Sequence, residues 1–201
     1  MQKELSIPLS NSSTHQLVWP RRVGIVLAGS ALVAVCSHIA LPLYFTPVPL
    51  TLQPFAVLLL GLLLAPRMAA ATLTAYLAEG AMGLPVFTPS ALSGIAHLIG
   101  PTGGYLLSYP LAAALVALLW RRDASGRAAG RDFIAALWSA AAGNLLILSC
   151  GAVWMALWLH ASARVVLTES VLPFLPGDAL KVIAAAALAA GWMRLRRRTA
   201  Q

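Results

Sequence analysis

Charged residues are scarce in this chain of 201 residues. Asp, Glu, Lys and Arg together make up 10% of it, whereas hydrophobic residues make up 60%. Soluble domains contain about 25% charged residues, so this composition excludes an ordinary soluble globule. The apolar residues also occur in long blocks, several of which reach the roughly 20 residues that a helix needs to cross a bilayer. The sequence therefore predicts an all-α membrane protein whose backbone hydrogen bonds are satisfied within helices.

Cysteine is rare, and two familiar sequence signals are missing. Cys36 and Cys150 lie inside apolar blocks without metal-ligand spacing, so we expect buried, hydrophobic thiols. No glycine-rich loop followed by Lys and Ser or Thr is present, so any ATP hydrolysis must come from another protein. The first residues are polar and lack the apolar core and cleavage site of a signal peptide. Residues 1–22 are therefore predicted to be a cytoplasmic tail.

Acidic residues are outnumbered by basic ones, and the position of the basic residues explains why. The 14 Lys and Arg residues against six Asp and Glu residues give a net charge of +8. They lie at the ends of apolar blocks and form no basic face interleaved with aromatic residues, which argues against nucleic-acid binding. With six spanning helices, all except Arg164 and Lys181 fall on one side. This bias predicts a multi-pass protein of the cytoplasmic membrane with both termini in the cytoplasm.

Prolines, glycines and arginines divide the apolar sequence into six predicted helices, two of which are short because Pro66 and Arg67 interrupt the block at 50–84. Residues 23–195 are predicted to form this six-helix membrane domain, followed by a basic cytoplasmic tail at 196–201. The loops 44–51, 84–102 and 161–176 then face outward. The four longer predicted helices are Val23–Leu43, Tyr105–Trp120, Phe133–His160 and Gly177–Met193.

Asp178 and Lys181 are the strongest candidates for a binding function. An ionisable residue within a membrane segment costs at least ~2.5 kcal/mol, so each needs a physical reason. The two are three residues apart, which places them on one face at the start of the last helix. A lysine beside the free N–H groups of a helix start can bind a carboxylate, and an aspartate can accept hydrogen bonds from N–H donors. The alternative is a neutralised pair that only holds the last helix in place.

The segment from 84 to 105 is the second candidate region. Thr102 and Tyr105 offer hydroxyls, and Gly103 permits a tight turn, so the segment is predicted to be a lid or cavity wall rather than an ordinary connection. Ser93 and His97 are only four residues apart in one loop, which does not make the cross-helix dyad of an intramembrane serine protease.

Two further polar residues lie within predicted helices. Glu79 is predicted to be either a hydrogen-bonded structural carboxylate or part of a cavity wall. Asn144 is either a bridge between helices or part of the same wall. His38, His97 and His160 are scattered, lack metal-site spacing and are predicted to have interfacial or packing roles.

Four motifs at helix boundaries together resemble the BioY family, the substrate-binding S components of energy-coupling-factor (ECF) biotin transporters. They are Thr46-Pro-Val-Pro-Leu-Thr-Leu-Gln53, Gly83-Leu-Pro-Val-Phe87, Gly100-Pro-Thr-Gly-Gly-Tyr105 and Pro176-Gly-Asp-Ala-Leu-Lys181. The resemblance covers most of the chain. It departs at 88–93, where many relatives have a glycine-rich stretch, so contacts from that loop, including Ser93, are assigned only loosely.

The resemblance implies a six-helix S component of prokaryotic origin that captures biotin from the outer side and has no catalytic activity or cofactor. It assigns ligand contacts to Asp178 and Lys181. Lys181 suits the valerate carboxylate of biotin, and Asp178 suits its ureido N–H groups. The implied partners are a transmembrane coupling subunit, which docks partly through small residues of helix one such as Gly24 and Ala28, and two cytoplasmic ATPases. The alternative is an S component or solitary carrier for another small carboxylated vitamin.

Overall fold

The computed structural model describes residues 12–122 and 131–199, and these residues are mostly helical. The first part of the predicted N-terminal tail, residues 123–130 with Arg127, and the last two residues lie outside the described ranges. The strands β1 (Ala40–Leu41) and β2 (Leu50–Thr51) pair antiparallel in the loop after the first helix. The helices are α1 (Ser12–His38), α2 (Gln53–Leu63), α3 (Pro66–Ala81), α4 (Ile95–Leu98), α5 (Gly103–Arg122), α6 (Asp132–Leu159), α7 (Ala163–Ser170) and α8 (Leu175–Thr199).

Four of the described helices are long and apolar enough to cross a membrane: the Trp19–His38 part of α1, and α5, α6 and α8. This confirms the prediction of a mostly helical protein with several apolar helices of membrane-spanning length, whereas the predicted number of six spanning helices stays a prediction. The predicted division of the second apolar block is also confirmed, because α2 ends at Leu63 and α3 begins at Pro66. With 11 residues α2 is only about 17 Å long, which is shorter than the hydrocarbon layer.

The loop after α1 differs from the prediction of a helix that continues to Leu43. Pro42 disfavours a helical backbone at Leu41, so the chain becomes extended there and pairs with Leu50–Thr51 instead. The backbone N–H of Leu52 donates to the Ile39 carbonyl at 3.1 Å and closes this loop. The Thr46–Gln53 motif is thereby folded back against the end of α1, and Gln53 begins α2.

The start of α1 and the end of α8 extend beyond the apolar blocks from which these helices were predicted. In α1 the helix begins at Ser12 rather than Val23, and α8 continues through the terminal arginines to Thr199 rather than ending at Met193. A helix satisfies its own backbone, so polar residues can extend it into water. In α8 the helix starts at Leu175, since Pro176 lies in the first turn, where no N–H is required. The short helix α7 was not predicted.

Helix α5 lies at the centre of the fold and packs against α2, α3 and α6. Close approach of α5 and α6 depends on Gly104, because a Cβ atom there would lie 2.1 Å from the Cβ of Trp154 and 2.7 Å from the Cys150 carbonyl oxygen. The second of these contacts is with backbone and cannot be relieved by a change of rotamer. At Gly24 of α1, by contrast, a Cβ would meet nothing within 4 Å.

We therefore expect Gly104→Ala to destabilise the protein by about 1–3 kcal/mol, as is typical of overpacking. Gly24→Ala is the matched control, and we expect it to be neutral or stabilising by up to about 1 kcal/mol because alanine favours helix. Thermal unfolding of the two purified variants in one detergent measures the difference. Equal unfolding temperatures would show that α5 and α6 can separate at Gly104 without cost.

Candidate functional site

A cavity lies where the starts of α2, α5 and α8 meet the middle of α6. It encloses about 490 Å³ of empty space, including the part that is open to solvent. The wall combines apolar side chains with several hydroxyl, amide and charged groups. The lining residues are Val48, Pro49, Thr51, Gln53, Pro54, Thr88, His97, Thr102, Tyr105, Leu106, Tyr109, Ile147, Leu148, Phe174, Asp178 and Lys181.

The first two turns of α8 bring Asp178 and Lys181 into this wall. The Lys181 Nζ atom lies 2.9 Å from Asp178 Oδ1, and both side chains are less than 10% exposed. From α6, the Asn144 Nδ2 group donates to Asp178 Oδ2 at 3.3 Å. Each carboxylate oxygen thus accepts one hydrogen bond and keeps a free lone pair, while the ammonium group keeps N–H groups that Asp178 does not use.

Burial of this ion pair has a consequence for ligand binding. Two charges that are removed from water lose several kcal/mol of hydration each, and their mutual attraction offsets this loss only with good geometry and further hydrogen bonds. A ligand that supplies both a carboxylate for Lys181 and N–H donors for Asp178 adds those further hydrogen bonds. The arrangement is therefore chemically suited to a small solute that carries both kinds of group.

A hydroxyl network centred on Gln53 forms another part of the wall. The Gln53 Nε2 group donates to the Tyr76 hydroxyl at 2.6 Å, and Tyr76 in turn donates to the Val86 carbonyl at 3.0 Å. The Gln53 Oε1 atom accepts from Thr51 at 3.2 Å and from Thr88 at 3.4 Å. This network fixes the start of α2 against α3 and against the loop that follows α3.

The aromatic part of the wall is fixed by contacts with the last residue of α7 and with the segment between α7 and α8. Tyr105 donates from its hydroxyl to the Ser170 carbonyl at 2.7 Å. Its ring lies 6.2 Å from that of Phe174, which is 5% exposed. The O–H donor of Tyr105 is thereby used within the protein, in contrast to the free hydroxyl that the sequence suggested.

His97 lies in the short helix α4 and is held by its own loop. Its Nδ1 atom lies 3.2 Å from Ser90 Oγ and 3.3 Å from the Leu92 carbonyl oxygen. The Phe87 ring lies 5.0 Å away at an interplanar angle of 31°. Burial lowers the pKa of His97 below its usual value, although the Leu92 carbonyl acts in the opposite sense. The imidazole is therefore neutral near pH 7.

Four of the eight residues predicted to form the site lie in the cavity wall: Asp178, Lys181, Thr102 and Tyr105. Asn144 is not among the lining residues but is hydrogen-bonded to Asp178. The other three lie elsewhere. A Cβ at Gly103 would lie 2.0 Å from the Leu98 carbonyl, so this glycine serves the α4–α5 turn. Ser93 is exposed in its loop, and Glu79 accepts a hydrogen bond from Ser30 between α3 and α1.

The sequence prediction missed five polar residues of the wall. Gln53 and Thr51 belong to the first motif that carries the family resemblance, yet they were not predicted to line the site. A buried amide at the start of an apolar helix was the signal that could have found Gln53. Thr88, His97 and Tyr109 have no such signal, because loops and helix interiors show no spacing that predicts a cavity.

The fold and the site together define a class: a helical membrane protein with a buried ion pair in the wall of a polar and apolar cavity. Comparison with known proteins specifies the class further. The model of the BioY family matches residues 6–198. The chain is 35% identical to the "Probable biotin transporter BioY" of Pyrococcus horikoshii over 169 residues, which cover 84% of this chain and 94% of that protein.

Two further comparisons agree. The "Biotin transporter BioY" of Thermotoga maritima is 34% identical over 160 residues, covering 80% of this chain and 88% of the relative. A crystal structure of the S-component for biotin from an ECF-type ABC transporter has the same fold, with a TM-score of 0.77 at 24% identity, covering 94% of this chain and 95% of that one. The chain belongs to the BioY family.

Proposed function

We propose that this protein binds biotin with high affinity and takes it up across the cytoplasmic membrane as the substrate-specific S component of an ECF transporter. Membership of a family whose relatives are named biotin transporters supports this function. The structural observation that carries it is the ion pair of Asp178 and Lys181 in the cavity wall. The pair offers N–H donors to a carboxylate and carboxylate lone pairs to N–H groups, and biotin carries both.

In the proposed complex, Lys181 donates to the valerate carboxylate, and Asp178 accepts from a ureido N–H group. Because Lys181 Nζ and Asp178 Oδ1 lie only 2.9 Å apart, this arrangement requires the valerate chain to fold back toward the ureido ring. Thr102 lines the same space and offers a hydroxyl. The bicyclic ring and the alkyl chain lie against the apolar and aromatic wall, which includes Ile147, Leu148 and Phe174. The cavity gains hydrogen-bond partners for both charged side chains without exposing either to lipid.

The proposed arrangement in the membrane has six helices with both termini in the cytoplasm. The arginines at the end of α8 support it, because positive charge accumulates on the cytoplasmic side. Asp178 and Lys181 lie at the opposite end of the same helix, so the cavity opens outward. Capture of biotin from outside then precedes its release inward.

The proposed partners are a transmembrane coupling subunit and two cytoplasmic ATPases, because this chain carries no phosphate-binding loop of its own. The small residues Gly24 and Ala28 lie exposed on α1 and offer a surface on which another helix can approach closely. The alternative is a solitary carrier for biotin or for another small carboxylated vitamin.

Uptake of labelled biotin tests the proposed function. We expect cells that lack their own biotin uptake to accumulate biotin when they express this chain together with an ECF coupling subunit and its ATPases. Accumulation without the partners would establish the solitary carrier instead. Binding of a different carboxylated vitamin in place of biotin would establish the alternative substrate, and no accumulation under either condition would contradict an uptake role.

A further inference from the structure

His97 separates two neighbouring spaces. This residue lines the main cavity and also a second recess, whose empty space of about 330 Å³ includes the part open to solvent. The two spaces share Pro49, Thr88, His97 and Thr102. Ser90 and Leu92 contact the Nδ1 edge of the imidazole, and Phe87 packs against one face. The opposite edge, which carries Nε2, makes no hydrogen bond to a described residue, and we infer that this edge faces the main cavity. Three contacts therefore fix the orientation of a buried histidine in the wall of the site.

The hydrogen bonds at Nδ1 determine which nitrogen carries the proton. The Leu92 carbonyl oxygen can only accept, and the Ser90 hydroxyl donates to that same oxygen at 3.1 Å. Both groups therefore act as acceptors for Nδ1–H. A neutral imidazole with its proton on Nδ1 has an unprotonated Nε2, which is a hydrogen-bond acceptor. Among the described residues, Nε2 has no hydrogen-bond partner.

We propose that His97 is a specificity-determining ligand contact whose Nε2 atom accepts a hydrogen bond from an N–H group of the ligand. This inference rests on the proposed function, and for biotin the donor is a ureido N–H. An N–H donor is favoured over a carboxylate, because an unprotonated nitrogen repels a carboxylate, whereas Lys181 attracts one. Asp178 and His97 then supply two acceptors for the two ureido N–H groups, and Lys181 supplies the donor for the carboxylate.

The pH dependence of biotin binding tests this role. Protonation of His97 removes the acceptor, so we expect the affinity of the unaltered protein to fall below the pKa of His97, by up to about tenfold per pH unit. The other titratable groups nearby are Tyr105, Tyr109, Asp178 and Lys181 in the cavity wall and Tyr76 and Glu79 on α3, which packs against α4. His97→Gln leaves all of these unchanged, so the difference between the two pH profiles isolates His97.

Three variants of the full chain separate the loss of the His97 acceptor from its titration. His97→Gln offers an amide oxygen that does not titrate, so we expect it to bind biotin within about threefold of the unaltered protein at neutral pH and to lose the pH dependence. His97→Leu has no acceptor, and we expect about tenfold weaker binding at neutral pH. His38→Gln is the matched control, because His38 is exposed and lies outside the cavity wall, and we expect it to keep the pH dependence of the unaltered protein.

A biotin analogue that is N-methylated on the ureido ring tests the other half of the contact. Methylation of the N–H that meets His97 should weaken binding to the unaltered protein but cost His97→Leu much less. The inference is overturned if His97→Gln keeps the pH profile of the unaltered protein. If His97→Leu does not fold, the pH profiles of the unaltered protein and of His97→Gln still test the inference. Failure of the unaltered protein to bind biotin at any pH would contradict the proposed function instead.

Discussion

Asp178→Asn is expected to weaken biotin binding by about 100-fold or more. The carboxylate loses its charge, so a charge-assisted hydrogen bond to the ligand is replaced by a weaker neutral one. The substitution also leaves the ammonium group of Lys181, which now lies 2.9 Å from the carboxylate, without an anionic partner in a buried wall. Isothermal titration of the purified variant with biotin measures the loss.

Asp132→Asn is the matched control for this experiment. Asp132 is also buried, at 1% exposure, and its Oδ2 atom lies 3.0 Å from Arg197 Nη1 at the other ends of α6 and α8. We expect the control to lower the unfolding temperature and to leave the dissociation constant for biotin within about twofold. Equal losses of affinity in the two variants would show that loss of any buried aspartate of the fold weakens binding, and that Asp178 is not a direct ligand contact.

Lys181→Met is expected to abolish the preference for biotin over biotin amide. A charge-assisted hydrogen bond is worth about 1.5–3 kcal/mol, so the unaltered protein should prefer the free acid by about 10- to 150-fold. Methionine fills the space of the lysine stem but cannot distinguish a carboxylate from an amide. Competition of each compound against labelled biotin gives the two affinities, and desthiobiotin, which keeps the carboxylate, should behave like biotin.

Two controls accompany Lys181→Met. Arg164→Met removes an exposed cation from α7 and should leave the preference for the free acid unchanged. The double variant Asp178→Asn with Lys181→Met removes both charges, and should fold even if Lys181→Met alone is destabilised by an unpaired carboxylate. A preference for the free acid that survives Lys181→Met would show that the carboxylate of biotin binds elsewhere in the cavity.

Local rules of the sequence were sufficient to predict the ion pair and most helix boundaries. The spacing of Asp178 and Lys181 places them on one helical face, and the high cost of charge in a membrane implies that they pair. Pro66 predicted the break between α2 and α3 because proline interrupts a helix. The same rule, applied to Pro42, could have placed the end of α1 earlier, since the residue before a proline also avoids the helical conformation.

The remaining part of the cavity depends on contacts that no local pattern shows. Gln53 bonds to Tyr76 and Thr88, which lie 23 and 35 residues away in the sequence. The proposed role of His97 depends on a loop that folds its imidazole against Phe87, and such loops have no periodicity. Glu79, by contrast, was considered for the site from the sequence but lies outside the cavity wall. Its position within an apolar helix suggested a cavity residue as one alternative, but the structure pairs it with Ser30.

The affinity of the purified full chain for biotin tests the central claim most directly. Isothermal titration in detergent at neutral pH should give saturable binding with a dissociation constant well below about 1 µM, which corresponds to more than about 8 kcal/mol of binding free energy. A dissociation constant weaker than about 1 µM, or no binding heat at all, would contradict the account of this cavity as a biotin site.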